Sequence, residues 1–175
     1  MTRYNAARTS TQGRGDDRPL YDNDMWYRVF SPNEQAVDLG DMLERLHAVG
    51  LPATGSFRGD DLGWTSGELR LDRGTPVYVE RYLTKEDDLR DDLNTWAAWA
   101  ETQDHAAGYQ DLMQRIIATK QLMTLRKPID CADEATVERL CEEACLYLAR
   151  QTAGIWQADG KGFLDADGNV LVPEY

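Results

Sequence analysis

Residues 77–83 read Val-Tyr-Val-Glu-Arg-Tyr-Leu, the strongest strand signal in the chain. Successive side chains of a strand point to opposite faces. Glu80 and Arg81 are adjacent, so one of them must turn toward the core side. A charge taken into a core requires a partner there. The expectation is a structural pair with a helix residue, and the alternative is a polar centre inside a pocket. Whatever fold this chain adopts has to place that pair.

The neighbouring segments supply the rest of a sheet and its helices. Met25-Trp26-Tyr27-Arg28-Val29-Phe30 reads as a strand, with Trp26, Arg28 and Phe30 on one face. Ser31-Pro32-Asn33-Glu34 has the form of a capping box, and Asp38 offers a second helix start. Leu39, Met42, Leu43 and Leu46 form the apolar face of that helix, which Gly50 and Pro52 close. Strands are expected at 54–57 and 68–71, with Asp72-Arg73-Gly74 as a hairpin loop. Thr84, with Asp87 three residues on, predicts a cap for a helix to about residue 103. Leu89, Leu93, Trp96 and Ala100 make its stripe. A break at 104–108 precedes a second helix, 109–118. A strand at 121–126 and a helix capped by Asp130 or Asp133 follow, the helix running to about residue 152.

The implied order is β-α-β-β-β-α-α-β-α-β-β, with a possible further strand at the end. This predicts an α+β fold, a single mostly antiparallel or mixed sheet with helices packed on it. The opening β-α-β-β would also suit a ferredoxin-like half. Residues 1–23 are polar and read as a disordered tail, leaving 24–175 as one domain.

Composition bounds the function. The chain has 175 residues and a formal charge of -12, which opposes contact with nucleic acid or anionic lipid. The first 24 residues balance Arg3, Arg8, Arg14 and Arg18 against Asp16, Asp17, Asp22 and Asp24, unlike a signal or transit peptide. Cys131, Cys141 and Cys145 cannot all pair within one chain. A cytoplasmic protein with reduced thiols is expected.

Each candidate site has a plainer reading. Cys141 and Cys145 lie four apart, as metal ligands could. They also sit on the Val137/Leu140/Ala144/Leu148 stripe, where cysteine packs as a small apolar residue. No metal and no cofactor is expected. His47 falls near a helix C-terminus, which favours a cation, and His105 in a loop. Neither belongs to a catalytic motif, and no catalytic residue is named. Arg-Gly-Asp occurs at 14–16 and 58–60, read here as coincidence.

The closing stretch, Gly154 to Tyr175, resembles a calcium loop. From Asp165 the sixth position is Val170, where such a loop needs glycine. From Asp159 the third position is Lys161. Both registers fail, and a β-meander with turns at Asp159-Gly160-Lys161-Gly162 and Asp167-Gly168 fits instead.

Two functional classes lead, and a third, nucleic-acid mimicry, would need carboxylates aligned on one face at phosphate-like spacing. The first is a small, acidic, non-catalytic domain that binds an unknown protein partner. Its contact surface would include Trp99, Leu146 and Tyr147, apolar residues lying off their helix stripes. A homodimer through that surface is one form of this reading. The second is an enzyme or small-ligand binder. Its pocket would lie between the sheet and the 84–103 helix, lined by Trp64, Tyr78, Glu80, Arg81 and Trp96.

Overall fold

A computed structural model describes residues 24–86, 88–128 and 130–174. The tail expected at 1–23 and the capping residue Asp87 lie outside the described residues. The elements are β1 (Met25–Ser31), α1 (Leu39–Ala48), β2 (Ala53–Asp60), β3 (Gly63–Leu71), β4 (Val77–Leu83), α2 (Arg90–Glu101), α3 (Tyr109–Ile117), β5 (Gln121–Lys127), α4 (Glu134–Thr152), β6 (Ile155–Ala158), β7 (Gly162–Leu164) and β8 (Val170–Pro173).

The fold is α+β. One eight-stranded sheet runs in the order β2-β3-β4-β5-β1-β6-β7-β8. Every pairing is antiparallel. β1 lies in the middle, between β5 and β6, with three strands separating it from β2. The opening β-α-β-β therefore does not make a ferredoxin-like half.

The two faces of the sheet carry separate cores. On the first, Tyr27, Val29, Val79, Met123, Leu125 and Trp156 meet Leu39, Met42 and Leu46 of α1 and the apolar stripe of α4. On the second, Phe30, Leu122, Ile155, Phe163 and Val172 meet Leu93, Ala97 and Ala100 of α2 and Leu112 and Ile116 of α3. The cross-strand register accounts for the sorting. Val29 stands opposite Met123 and Trp156, and Phe30 opposite Leu122 and Ile155.

The helix ends show which local signals prevailed. Asp38 caps α1, its carboxylate accepting from Gly40 N at 2.7 Å and Asp41 N at 3.3 Å. Ser31 instead closes β1 and bonds within the connection to α1, accepting from Asn33 N at 3.3 Å. Gly50 ends the helix at φ 81°, with Gly50 N bonded to His47 O and Leu51 N to Leu46 O. Left-handed backbone at that position favours glycine. Asp133 caps α4 by accepting from Thr136 N.

Thr84 does not cap α2, which begins at Arg90 with no side-chain cap. Its hydroxyl donates to Thr119 O at 3.1 Å and its amide to Lys120 O at 2.9 Å. Thr84 thus extends the β4–β5 link rather than opening a helix.

Candidate functional site

The second face is built from the outward positions of β4, β5 and β1. Alternation along β1 places Trp26 and Arg28 beside Phe30 on that face. Register then sets Arg126 opposite Trp26 on one side and opposite Tyr78 on the other. α2 adds Trp96, whose ring meets Phe30 edge-on at 6.1 Å and Phe163 at 5.5 Å.

These side chains stack alternately. The Arg28 guanidinium lies 5.2 Å from the Trp96 ring centre and 5.7 Å from that of Trp26. The Arg126 guanidinium lies 5.8 Å from Trp26 and 4.9 Å from Tyr78. The result is a row, Trp96, Arg28, Trp26, Arg126, Tyr78, of cation–π contacts across three strands and a helix. Arg28 Nη1 donates to Gln157 Oε1 at 2.6 Å and Asp159 Oδ1 at 2.7 Å. Arg126 Nη1 donates to Asp24 Oδ2 at 3.0 Å. Burial raises the Asp24 carboxyl pKa by more than the charge and bond of Arg126 lower it.

The five pocket residues named from the sequence do not converge. Tyr78, Glu80 and Trp96 belong to the second face, and Glu80 accepts from Tyr82 Oη at 2.8 Å. Trp64 and Arg81 belong to the first. Alternation alone would put Trp64 with Ser66, which stands opposite Glu80. A register shift pairs Arg58 with Ser66 but Gly59 with Trp64, leaving Thr65 as an extra residue. This bulge turns Trp64 over into the core with Leu69 and Val79.

Arg81 is the charge that β4 sends inward, and only 6% of it is exposed. It does not pair with a helix residue. Nε donates to Gln121 Oε1 at 2.6 Å, Nη1 to Leu62 O at 3.0 Å and Trp64 O at 3.3 Å, and Nη2 to Glu34 O at 2.8 Å. Gln121 Nε2 in turn donates to Ser31 Oγ and Gln35 O. Gly63, at φ 113°, lets the hairpin come this close, since a Cβ there would stand 2.5 Å from Ala36 Cβ. The arrangement ties the β2–β3 hairpin to β5 and to the β1–α1 connection. Burial lowers the Arg81 pKa, against the opposing charges of Asp60 and Glu34.

Trp99, Leu146 and Tyr147 do not make one surface patch. Trp99 is half-buried in the second core, 5.4 Å from the Phe163 ring. Leu146 and Tyr147 pack against the first core, on the other side of the sheet. The β7–β8 turn covers Leu146: a Cβ on Gly168 would lie 3.6 Å from Leu146 Cδ2, and Arg150 Nε donates to Ala166 O at 2.9 Å. The closing meander thus covers that residue within the same chain. Its last turn differs in detail from a two-residue hairpin, because Asp165 organises a loop from 165 to 169 with bonds from Asp167 N and Asn169 N.

Other candidates resolve into packing. Cys141 and Cys145 are fully buried in the first core, and burial drives both thiol pKa values up. His47 Nε2 lies 3.0 Å from Ala53 O. Among the described residues no group of three or more His, Cys, Asp or Glu is placed to hold a metal ion. A cavity of about 210 Å³ lies between Phe30, Pro32, α3 and Gly154, below the ~300 Å³ at which ligand pockets usually begin. No helix among the described residues is long and apolar enough to cross a membrane.

The row was only partly legible beforehand. Period-two alternation shows that Trp26 and Arg28 share a face. That Arg126 and Tyr78 adjoin them depends on which strands pair, and in what register. No protein family, no curated protein and no solved structure matches this chain.

Proposed function

We propose that this protein is a non-catalytic binding module that engages another protein through the second face of its sheet. The supporting observation is the row Trp96, Arg28, Trp26, Arg126, Tyr78. Trp, Tyr and Arg are the residues that dominate binding energy at protein interfaces. Here they are held by mutual stacking and by strand backbone, so little side-chain entropy remains to be lost on association. The setting we propose is the cytoplasm, where the three free cysteines stay reduced.

The test is capture from a native lysate on immobilised wild-type protein and on Trp26→Ala. Proteins held by the wild type and released by Trp26→Ala support the reading. An identical retained set on both refutes it. Light scattering then distinguishes a second copy of this chain from a different partner.

A further inference from the structure

β2 is one edge of the eight-stranded sheet, with β3 as its sole strand neighbour among the described residues. In an antiparallel ladder the N–H and C=O of one residue point to the same side, and that side alternates along the strand. Ala53 fixes the sense. Its N bonds to Leu51 O at 2.7 Å and its O lies 3.0 Å from His47 Nε2, so it points away from β3. Arg58 O accepts from Thr65 Oγ1 of β3 at 3.4 Å, so Arg58 points toward that strand. Gly55 and Phe57 share the outward sense of Ala53. Neither has a backbone hydrogen bond outside the β2–β3 ladder among the described residues. Two N–H and two C=O groups therefore stand open along the edge. Thr54, Gly55, Ser56 and Arg58 are exposed there, and Phe57 is half-buried. Proteins commonly blunt such an edge with proline or charge. Residues 53–57 carry neither, and the bulge at Arg58/Gly59 comes after them.

We propose that this edge receives the same edge of a second copy of the chain, the two β2 strands pairing antiparallel about a two-fold axis at Ser56. The open groups select the register. An axis at Ser56 sets Gly55 opposite Phe57 in both directions, so every open group of both strands is bonded. An axis at Gly55 or Phe57 would call on Ala53, which is already bonded, or on Gly59, which lies past the bulge. The side chains suit the same register. The Phe57 ring lies over Gly55 and Gly67 of its own chain, where no Cβ would fit. Gly55 then stands opposite the second copy's Phe57, and the two rings meet across the axis. Charge permits the approach despite the -12 of the chain, because Arg58 is the one charged residue in 53–59. Arg58 falls opposite the second copy's Thr54, which keeps the two arginines about 14 Å apart along the strands, beyond the ~8 Å screening length. Self-complementarity about Ser56 favours a second copy over an unrelated extended segment. The contact uses the edge of the sheet and not its second face.

The test is sedimentation velocity of the intact chain from about 5 to 500 µM, because a contact this small is expected to have a micromolar Kd. Wild type should pass from monomer to dimer across that range. Ser56→Glu and Ser56→Lys each set like charges face to face on the axis, and each should weaken self-association about fivefold or more. An equal mixture of the two variants should dimerise at least as well as wild type. Ser56 is exposed, so both variants should keep the wild-type thermal melt; recovery in the mixture shows independently that both are folded. Hydrogen exchange at the Gly55 and Phe57 amides should be slower in the concentrated wild type than in the dilute one. A wild type still monomeric at the highest concentration, variants that dimerise unimpaired, or a mixture that stays monomeric would each overturn the proposal. So would a dimer whose Gly55 and Phe57 amides exchange as fast as those of the monomer, since it would be held elsewhere. A monomeric wild type that binds a foreign extended segment along β2 would overturn the second copy as occupant.

Discussion

Removing the Arg81 guanidinium should unfold the protein at markedly lower denaturant. Arg81→Met keeps a long apolar stem and deletes four hydrogen bonds to Gln121 Oε1, Leu62 O, Trp64 O and Glu34 O. Bonds to a charged donor contribute about 1.5–3 kcal/mol each. Four of them cannot simply be added, because desolvating the charge costs several kcal/mol that the variant recovers. The neutral acceptors left buried without a donor cost about 1–3 kcal/mol each, so net of that recovery a loss of about 3–5 kcal/mol is expected. That is a large part of the about 5–15 kcal/mol that holds a domain folded. Urea unfolding followed by tryptophan fluorescence should show the midpoint falling by about 1–2 M at unchanged slope, taking a slope of about 2–3 kcal/mol per M. Arg81→Lys should lose nearly as much, since a single ammonium cannot span four separate acceptors. A loss under about 1 kcal/mol for Arg81→Met would refute the reasoning, for the bonds would then only have offset the burial of the charge.

Three further outcomes are expected. Lys127 is fully buried while its partners Glu134 and Glu138 are 57% and 32% exposed, at 3.0 and 3.2 Å. Replacing both glutamates by alanine strands the cation and should cost about 3–5 kcal/mol, whereas Lys127→Met should cost clearly less in the same urea titration. Burial lowers the Lys127 pKa, but the bonds and charge of these glutamates raise it further. Its contribution is thus complete below about pH 10.5 and disappears as pH rises through the higher folded value. Asp165 behaves in the opposite sense: burial pushes its pKa up, and bonds from Asn169, Asp167 and Gly168 bring it below the usual value. Its contribution is present above about pH 3.9 and lost as pH falls through the folded value. The melting-temperature gap between wild type and Asp165→Ala should therefore close in strong acid, and a gap independent of pH would contradict this. A maleimide followed by mass spectrometry should label Cys131 in the native protein, and Cys141 and Cys145 after unfolding. Native labelling of Cys145 would contradict its burial.

Local chemistry determined much of this protein. The order of elements follows from periodicity and punctuation, and β4 spans the expected residues 77–83. Asp38 and Gly50 bound α1 because a cap and a left-handed stop act within one turn of helix. The meander follows from glycine and aspartate at its turns. Where a local signal competed with a distant partner, the partner prevailed. Thr84 has the sequence context of a cap, yet it bonds to Thr119 and Lys120 across the β4–β5 link.

The tertiary structure alone decided the rest. Alternation shows which residues of one strand share a face, but not which strand lies alongside. Trp26 and Arg126 are a hundred residues apart, and register alone brings them together. The same is true of Arg81, whose partners come from three segments no local pattern connects. Trp64 changed face because a single extra residue, Thr65, shifted the ladder by one. A strand's side-chain period is two, so a shift of one residue exchanges core for surface. The sequence by itself determined the elements and their order; long-range pairing and register, which no local propensity encodes, decided the faces and therefore the candidate site.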